Sequence, residues 1–300
     1  MTCARLLPTS EMFDLRYHVA SLAAVFLALV IGILVGVGIA DRGLVDKANT
    51  RLLEQRVAQL RNQLDQASKR SQVSAREQKA AQKYISETYP VLARNRLKGH
   101  RIAVVFVGKV DDGLSSAIAR ALDDSGAVQI RLRALKMPVD DKQLDAKLST
   151  QPADQQYVGK AKLEQLGKAL GVELVTGGDT PLWNTLNESL VDYQAGGSKQ
   201  PVDGVVVART VPPQRDGTSR FLFGLYQGLS SGGPPAVGVE ASDAASSAVP
   251  IFRSADLSSV DDVDTPAGRL ALVLLLAGSP NGHYGFKRSA DDVLPPFARG

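Results

Sequence analysis

The stretch Ile102-Ala-Val-Val-Phe-Val107 lies between Gly99 and Gly108 and is apolar at every position. A run this short, bounded by glycines, is typical of a strand that is buried on both faces of a sheet. Similar apolar runs follow along the chain at 128–132, 172–176, 205–208 and 236–239.

Helical patterns separate these runs, at 114–122, 160–170, 221–229 and 268–276. Strands that alternate with helices at this spacing predict an α/β domain with a largely parallel, Rossmann-like sheet over residues 99–300. The chain has 300 residues, of which 44% are apolar. It is therefore long enough for one domain of roughly 150–200 residues with extensions.

Ligands of parallel sheets bind in a crevice outside the carboxyl ends of the strands. Six residues at or near the predicted strand ends are candidates for lining such a pocket: Gly108, Asp112, Asp179, Trp183, Arg209 and Glu240.

Sequence motifs for nucleotide or acyl chemistry are weak in this domain. Gly108-Lys109 lacks the preceding glycine and the following Ser or Thr of a phosphate loop, and no G-x-G-x-x-G occurs. Residues 228–232 match G-x-S-x-G, but they end a predicted helix, whereas a nucleophile elbow follows a strand. We therefore expect that the protein is not an enzyme and requires no cofactor.

Metal-ligating residues are scarce. A single Cys excludes a cysteine-cluster zinc or iron–sulfur site, and three His with three Met exclude a tract of soft ligands. His283 could hold a divalent ion if nearby carboxylates converge on it, the nearest acidic clusters being 261–264 and 291–292. The favoured alternative is structural: Asp264-Thr265-Pro266 begins a helix, and the glycines beside His283 shape a loop.

Residues 19–40 contain no charged side chain over 22 positions. As a helix rising about 1.5 Å per residue this segment spans about 33 Å, which predicts one transmembrane helix. A cleaved signal peptide is the alternative, but its apolar region is usually shorter. The segment divides the chain into an N-terminal tail (1–18), the membrane helix (19–40), a stem (41–98) and the α/β domain (99–300).

Small residues recur every four positions along this helix. Ala28, Gly32, Gly36 and Ala40 form a face on which two helix backbones could approach closely, so we predict self-association. The alternative is that Ala and Gly are simply common in membrane helices.

The stem is basic, with 13 Lys and Arg against 6 Asp and Glu over residues 41–100. Leu53, Val57, Leu60 and Leu64 follow a heptad spacing that predicts a helical stem, either a coiled coil or a lone solvated helix. Arg56 and Arg61 would repel each other across a parallel dimer, which weakens the coiled coil. Beside a bilayer, such a charge run favours contact with anionic lipids over nucleic acid.

Charge counting gives no clear orientation. Arg5 and Arg16 precede the helix, while more basic residues follow it, so a literal positive-inside count places the large domain in the cytoplasm. The rule weakens when the flanking segment is a long domain.

The run Phe13-Asp-Leu-Arg-Tyr-His-Val-Ala-Ser-Leu-Ala-Ala-Val-Phe-Leu-Ala-Leu resembles the start of the actinobacterial MctB family. A second match is Val263-Asp-Thr-Pro-Ala-Gly-Arg-Leu-Ala-Leu-Val, followed by Gly282-His-Tyr-Gly285 and Leu294-Pro295. The close matches cover 12–66 and about 261–296. Because the family begins at Met12, we expect that translation could start there rather than at Met1.

This resemblance implies a channel-forming envelope protein that keeps intracellular copper low, with copper as the transported ion and the large domain outside the cytoplasm. It transfers no copper ligand and no catalytic residue. The alternative from another class is an envelope scaffold that binds partner proteins without transporting anything.

Overall fold

The computed structural model describes residues 12–40, 45–231 and 233–297. The chain divides into two compact units, Met1–Lys79 and Ala80–Gly300. Residues 1–11, which would be absent if translation starts at Met12, lie outside the described residues.

The first unit is helical. Helix α1 spans Met12–Ala40, and within it Tyr17–Gly38 is long and apolar enough to cross a membrane. Its described side chains are exposed all round, which in water would be very unfavourable for an apolar helix of this length. The next helix, α2, spans Val45–Ala93, and its residues up to Lys79 belong to this unit.

The second unit contains the sheet. In the described part of the chain its helices after α2 are α3 (Asp112–Ser125), α4 (Asp141–Leu148), α5 (Leu163–Thr176), α6 (Pro181–Leu190), α7 (Asp216–Ser230), α8 (Val249–Ser254) and α9 (Pro266–Leu276). Its strands are β1 (Arg101–Val107), β2 (Val128–Leu135), β3 (Val191–Ala195), β4 (Gly204–Arg209), β5 (Ala236–Val239), β6 (Ser258–Val260) and β7 (His283–Tyr284).

The strands form one sheet in the order β3-β2-β1-β4-β5-β6-β7. All neighbouring pairs are parallel except β2 with β3, which is antiparallel. The predicted α/β class with a mostly parallel sheet is therefore confirmed. The chain leaves β1 on one side to form β2 and later returns to its other side as β4, so the strand order reverses at β1.

One predicted strand was wrong. Residues 172–176 are the last turns of helix α5. The apolar side chains of this segment belong to a helical stripe, because Leu163, Leu166, Leu170 and Leu174 recur every three or four residues and are buried. A strand prediction from 172–176 alone misses the helical stripe that begins nine residues earlier, at Leu163.

Two apolar cores lie on the two faces of the sheet. Ile102, Val104 and Phe106 of β1 face the core that is shared with α3 and α9. Ala103, Val105 and Val107 face the core that is shared with α4 to α8. The strictly alternating partition explains why β1 is apolar at consecutive positions.

Helices α5 and α7 pack through glycines. Gly167 and Gly171 on α5 face Gly224 and Gly228 on α7, and a Cβ at Gly224 would collide with the carbonyl of Glu164. These positions bring the two backbones together more closely than any side chain would allow.

The end of α2 belongs to the second unit. Tyr89 and Ala93 pack against Leu270 and Leu274 of α9. The guanidinium carbon of Arg269 lies 5.2 Å from the centre of the Tyr89 ring. Burial, together with the nearby Asp124 carboxylate, raises the pKa of the Tyr89 hydroxyl. Tyr89 therefore stays neutral at every physiological pH.

Candidate functional site

The carboxyl end of β1 faces a cavity of about 470 Å³. The residues around it lie at or just after the ends of β1, β2 and β4 or, in the case of Asp192, within β3: Gly108, Lys109, Val110, Asp111, Leu135, Lys136, Met137, Asp192, Thr210 and Val211. The cavity lies where the strand order reverses, which is where open α/β sheets ordinarily bind ligands. Gly108 thus lines the crevice that the sequence predicted.

Gly108 must be a glycine at this position. Its φ is +107°, and a Cβ would lie 2.6 Å from both Thr210 Oγ1 and Val211 Cγ1. The loop after β1 therefore runs directly against the loop after β4.

Helix α3 begins at Asp112, at the end of the loop after β1. The side chain that caps this helix is that of Asp111, whose carboxylate accepts from the Leu114 N–H at 2.8 Å. Sequence reasoning named Asp112 and missed Asp111.

Arg209 ends β4 and is buried. Its guanidinium donates to Val211 O at 3.0 Å and to Pro212 O at 2.7 Å. A third donor lies 3.5 Å from the Tyr226 hydroxyl. These bonds shape the loop after β4 beside a second cavity of about 320 Å³. Most hydrogen-bond donors of the Arg209 guanidinium are therefore used by the protein itself.

Glu240 follows β5 and is buried. Its Oε1 accepts from Lys287 Nζ at 2.7 Å and from Ser247 Oγ at 2.8 Å, while Oε2 accepts from the Ala248 N–H. Every part of this carboxylate is therefore partnered by the protein itself. Lys287 lies 47 residues along the chain, so no local signal connects it to Glu240.

Two further carboxylates follow β6. Asp261 accepts from the N–H groups of Phe286 and Lys287, at 2.9 and 3.1 Å. Asp262 accepts from Thr265 Oγ1 at 2.8 Å with one oxygen, while its other oxygen is buried without a partner in the described structure. Burial raises the pKa of both carboxyl groups, that of Asp262 to about 6. The close spacing of Asp261, Asp262 and Asp264 in the sequence was the available signal for this cluster.

The structural alternative for the acidic segment is confirmed. Thr265 is the N-cap of α9, its Oγ1 accepts from the Gly268 N–H at 3.0 Å, and Pro266 opens the helix. Both oxygens of Asp264 accept from Ser242, through its N–H at 2.7 Å and its hydroxyl at 2.6 Å. The three aspartates therefore have separate structural tasks.

His283 lies in β7 at the opposite edge of the sheet from β3. Its side chain is buried, and Nδ1 lies 2.9 Å from Ser259 Oγ. Asp291 contacts the His283 backbone N–H at 3.2 Å, and its second oxygen accepts from Arg253 at 2.8 Å. Burial, and then the Arg253 charge, lowers the His283 pKa, so the imidazole is neutral at pH 7.

Asp179 and Trp183 lie away from the β1 cavity. Asp179 follows helix α5 rather than a strand and forms an exposed ion pair with Lys199 at 2.5 Å. It lines a third cavity, of about 640 Å³. Trp183 is buried in α6, and its indole N–H donates to Leu170 O at 2.9 Å.

The structure therefore distributes the predicted pocket residues over several places. Gly108 and Arg209 share the reversal point of the sheet, Asp112 opens the neighbouring helix, and Asp179 and His283 lie elsewhere. Among residues 12–40, 45–231 and 233–297, no three His, Cys, Asp or Glu side chains converge to hold a metal ion.

The small-residue face of α1 is exposed where it is described. Ala28, Gly32 and Gly36 are exposed, and a Cβ at Gly32 or Gly36 would meet nothing within 4 Å. The Ala40 side chain lies outside the described residues.

Comparison with known proteins gives a match along nearly the whole chain. The family model "Copper transport outer membrane protein, MctB" matches residues 12–295. Proteins called "Copper transporter MctB" from Mycobacterium bovis and from two strains of Mycobacterium tuberculosis are 24% identical over 315 aligned residues. The alignments cover 94% of this chain and 99% of each relative.

Proposed function

Because this chain belongs to the MctB family of copper transport outer membrane proteins, we propose that it is a membrane-anchored component of copper transport that keeps cellular copper low. The observation that carries the proposal is the family match over residues 12–295, which includes both the apolar helix and the whole α/β domain. Copper is the cargo in this proposal, and the domain is assigned no catalytic role and no resident cofactor.

We propose that the chain crosses the membrane once, through Tyr17–Gly38, with the α/β domain outside the cytoplasm. The apolar length of this helix supports a single span. The orientation follows the family, in which the protein is placed in the outer envelope, and opposes the simple count of flanking charges. A reporter enzyme that folds only outside the cytoplasm, fused after Gly300, would be active in this orientation and inactive in the reverse one.

A transport path requires more than one copy of this chain, because a single membrane helix cannot enclose a path for an ion. We propose that copies associate through the face Ala28, Gly32, Gly36 and Ala40. The exposure of Gly32 and Gly36 leaves room for a second backbone.

The stem extends this proposed association as a short coiled coil. Leu53, Val57, Leu60 and Leu64 are exposed at heptad spacing along α2. Repulsion between Arg56 and Arg61 of two copies weakens this seam, so tethering by the membrane helices supplies much of its stability. The same basic segment is proposed to contact anionic lipid headgroups.

We propose that the α/β domain is Rossmann-like. This is supported by the position of β1, which pairs in parallel with β2 on one side and with β4 on the other.

Deletion of the gene followed by complementation tests the proposal. We expect the deletion strain to accumulate copper and to grow poorly at raised copper, with both defects reversed by the full chain. A Gly32→Ile/Gly36→Ile variant should not reverse them, whereas a Val30→Ile control, which changes the helix without blocking close approach, should. Normal copper content and growth in the deletion strain would contradict the copper role.

An envelope scaffold is the second candidate, favoured by the scarcity of soft copper ligands. Met137 is the one Cys or Met in residues 99–300. The scaffold predicts stable co-purification of envelope proteins and no copper flux across vesicles that contain the purified chain, whereas transport predicts flux that depends on the chain.

A further inference from the structure

We propose that the cavity between β2, β3 and the start of α6 is a binding site for a small oxyanion that carries a phosphoryl group, with the Arg133 guanidinium as its principal contact. The cavity has a volume of about 640 Å³, enough for a phosphoryl group with a small organic substituent. It is separate from the reversal point of the sheet and from the proposed membrane association, so the inference does not depend on the copper role.

Two arginines occupy consecutive positions on one face of β2. Arg131 is 4% exposed, and Arg133 is partly buried beside it. Both line the cavity. Burial lowers the pKa of both guanidinium groups, and that of Arg131 is lowered further by the Arg133 charge. Within the described residues no carboxylate forms an ion pair with either of them.

Arg131 holds the walls of the cavity. Its guanidinium donates to Ser198 O at 2.7 and 2.9 Å, to Leu174 O at 2.7 Å, and to Gln200 O. All these acceptors are backbone carbonyls, so they satisfy its N–H groups without neutralising its charge. Arg131 thereby ties the end of α5 to the loop after β3 and leaves a positive charge at the cavity.

Arg133 is positioned by few contacts and keeps hydrogen-bond donors that the protein does not use. Its guanidinium carbon lies 6.0 Å from the centre of the Trp183 ring, and the single hydrogen bond that it makes in the described structure joins Nη1 to Leu132 O at 3.3 Å. The Nε and Nη2 donors remain for a ligand. A guanidinium edge of this kind matches two oxygens of one phosphoryl group.

The charge of the cavity wall favours a dianion. Its charged side chains are Arg131, Arg133, Lys199 and Asp179. Asp179 is already paired with Lys199, at an exposed position where the pair adds little to stability. The two arginines are left without a counter-charge, and a buried charge without a partner is costly. A bound dianion would supply the missing counter-charge.

The test uses the full chain in detergent micelles. Sodium phosphate and sodium chloride are compared at equal ionic strength by thermal unfolding and by titration calorimetry. We expect phosphate, but not chloride, to raise the midpoint of unfolding. Arg133→Gln should weaken phosphate binding at least about tenfold, whereas Arg220→Gln, which removes an exposed arginine on α7, should leave it unchanged.

A second readout separates a ligand contact from a structural role. Because Arg133 is an unpaired charge in the free protein, Arg133→Gln should leave the midpoint without phosphate unchanged or raise it. If this variant does not fold, Arg133→Lys keeps the charge but removes the two-donor edge and should still weaken binding. Equal effects of chloride and phosphate, or unaltered phosphate binding by a folded Arg133 variant, would overturn the proposal.

The phosphoryl group could belong to a free metabolite or to a lipid. Glycerol phosphate in solution is therefore compared with nanodiscs of phosphatidylcholine that contain or lack phosphatidic acid. Protection by soluble glycerol phosphate identifies a free ligand, and protection by phosphatidic acid alone identifies a headgroup. Either result, if abolished by Arg133→Gln, supports the site. Protection by neither of them nor by inorganic phosphate overturns it.

Discussion

Lys287 Nζ lies 2.7 Å from Glu240 Oε1, which joins the segment after β7 to the carboxyl end of β5. Glu240 is 1% exposed, and the same ammonium group donates to Ala241 O at 2.9 Å. Together with the hydrogen bonds from the Phe286 and Lys287 N–H groups to Asp261, the ion pair therefore holds the segment after β7 against the carboxyl ends of β5 and β6.

Replacing Lys287 should destabilise the domain strongly. Lys287→Met leaves the Glu240 carboxylate buried without its counter-charge, so we expect a loss of about 3 to 5 kcal/mol in the free energy of unfolding. Chemical denaturation of the purified chain measures this change in the free energy of unfolding. The control Lys168→Met, at an exposed position of α5, should change stability by less than about 0.5 kcal/mol. The double variant with Glu240→Gln should recover part of the loss, and no recovery would mean that the ion pair is not the cause.

Asp262 should make the folded protein less stable as pH rises. Its folded pKa of about 6 lies above the ordinary 3.8, so between these values the folded state binds more protons than the unfolded state. Stability is therefore lost as pH rises from about 4 to about 6. Asp262→Asn should remove this dependence and stabilise the protein at pH 7 by roughly 3 kcal/mol, with little difference at pH 4.

Unfolding of the Asp262→Asn variant is compared with that of Asp256→Asn across this pH range. Asp256 is exposed and has a φ of +55°, a conformation that Asn adopts readily, so its replacement removes the same charge without altering burial. Parallel pH profiles for the two variants would show that the buried carboxyl group does not carry the effect.

The sequence predicted the parts of this fold that depend on local pattern. The apolar runs at 102–107, 205–208 and 236–239 are strands because the sheet buries both of their faces. Strands β3, β6 and β7 were missed: they are short, and polar residues such as Asp192 and Ser258 interrupt the apolar pattern. Their strand conformation is set by pairing with neighbours rather than by their own composition.

The site residues show the same division. Thr265 could be predicted as a helix cap because its hydrogen-bond partner, Gly268, lies three residues away. The charged partner of Glu240, Lys287, lies 47 residues away, and the acceptors of Arg131 lie at least 43 residues away, so these contacts depend on the tertiary fold. Arg131 and Arg133 are separated by one residue, which in a strand puts them on one face, but their burial could not be known before α5 and α6 were placed.

The glycines between α5 and α7 should be intolerant of any side chain. A Cβ at Gly224 would overlap the backbone of Glu164, and helix backbones cannot move aside as a flexible side chain can. We expect Gly224→Ala to cost about 3 kcal/mol of stability, despite the higher helix propensity of Ala. Gly197→Ala is the matched control, since a Cβ there meets nothing within 4 Å. Equal stability of the two variants would refute the close packing.

His283 should not be a principal copper ligand. Its Nδ1 lies 2.9 Å from Ser259 Oγ, the side chain is 7% exposed, and no other His, Cys, Asp or Glu in the described ranges joins it in a cluster of three. We therefore expect His283→Gln to change the Cu(I) affinity of the full chain by less than about threefold, a difference of under about 0.7 kcal/mol. Competition with a chromogenic Cu(I) chelator measures this, with His100→Gln as the control. If His283→Gln abolishes copper binding while His100→Gln retains it, then β7 must open to expose the imidazole, and the copper site must be sought at the edge of the sheet.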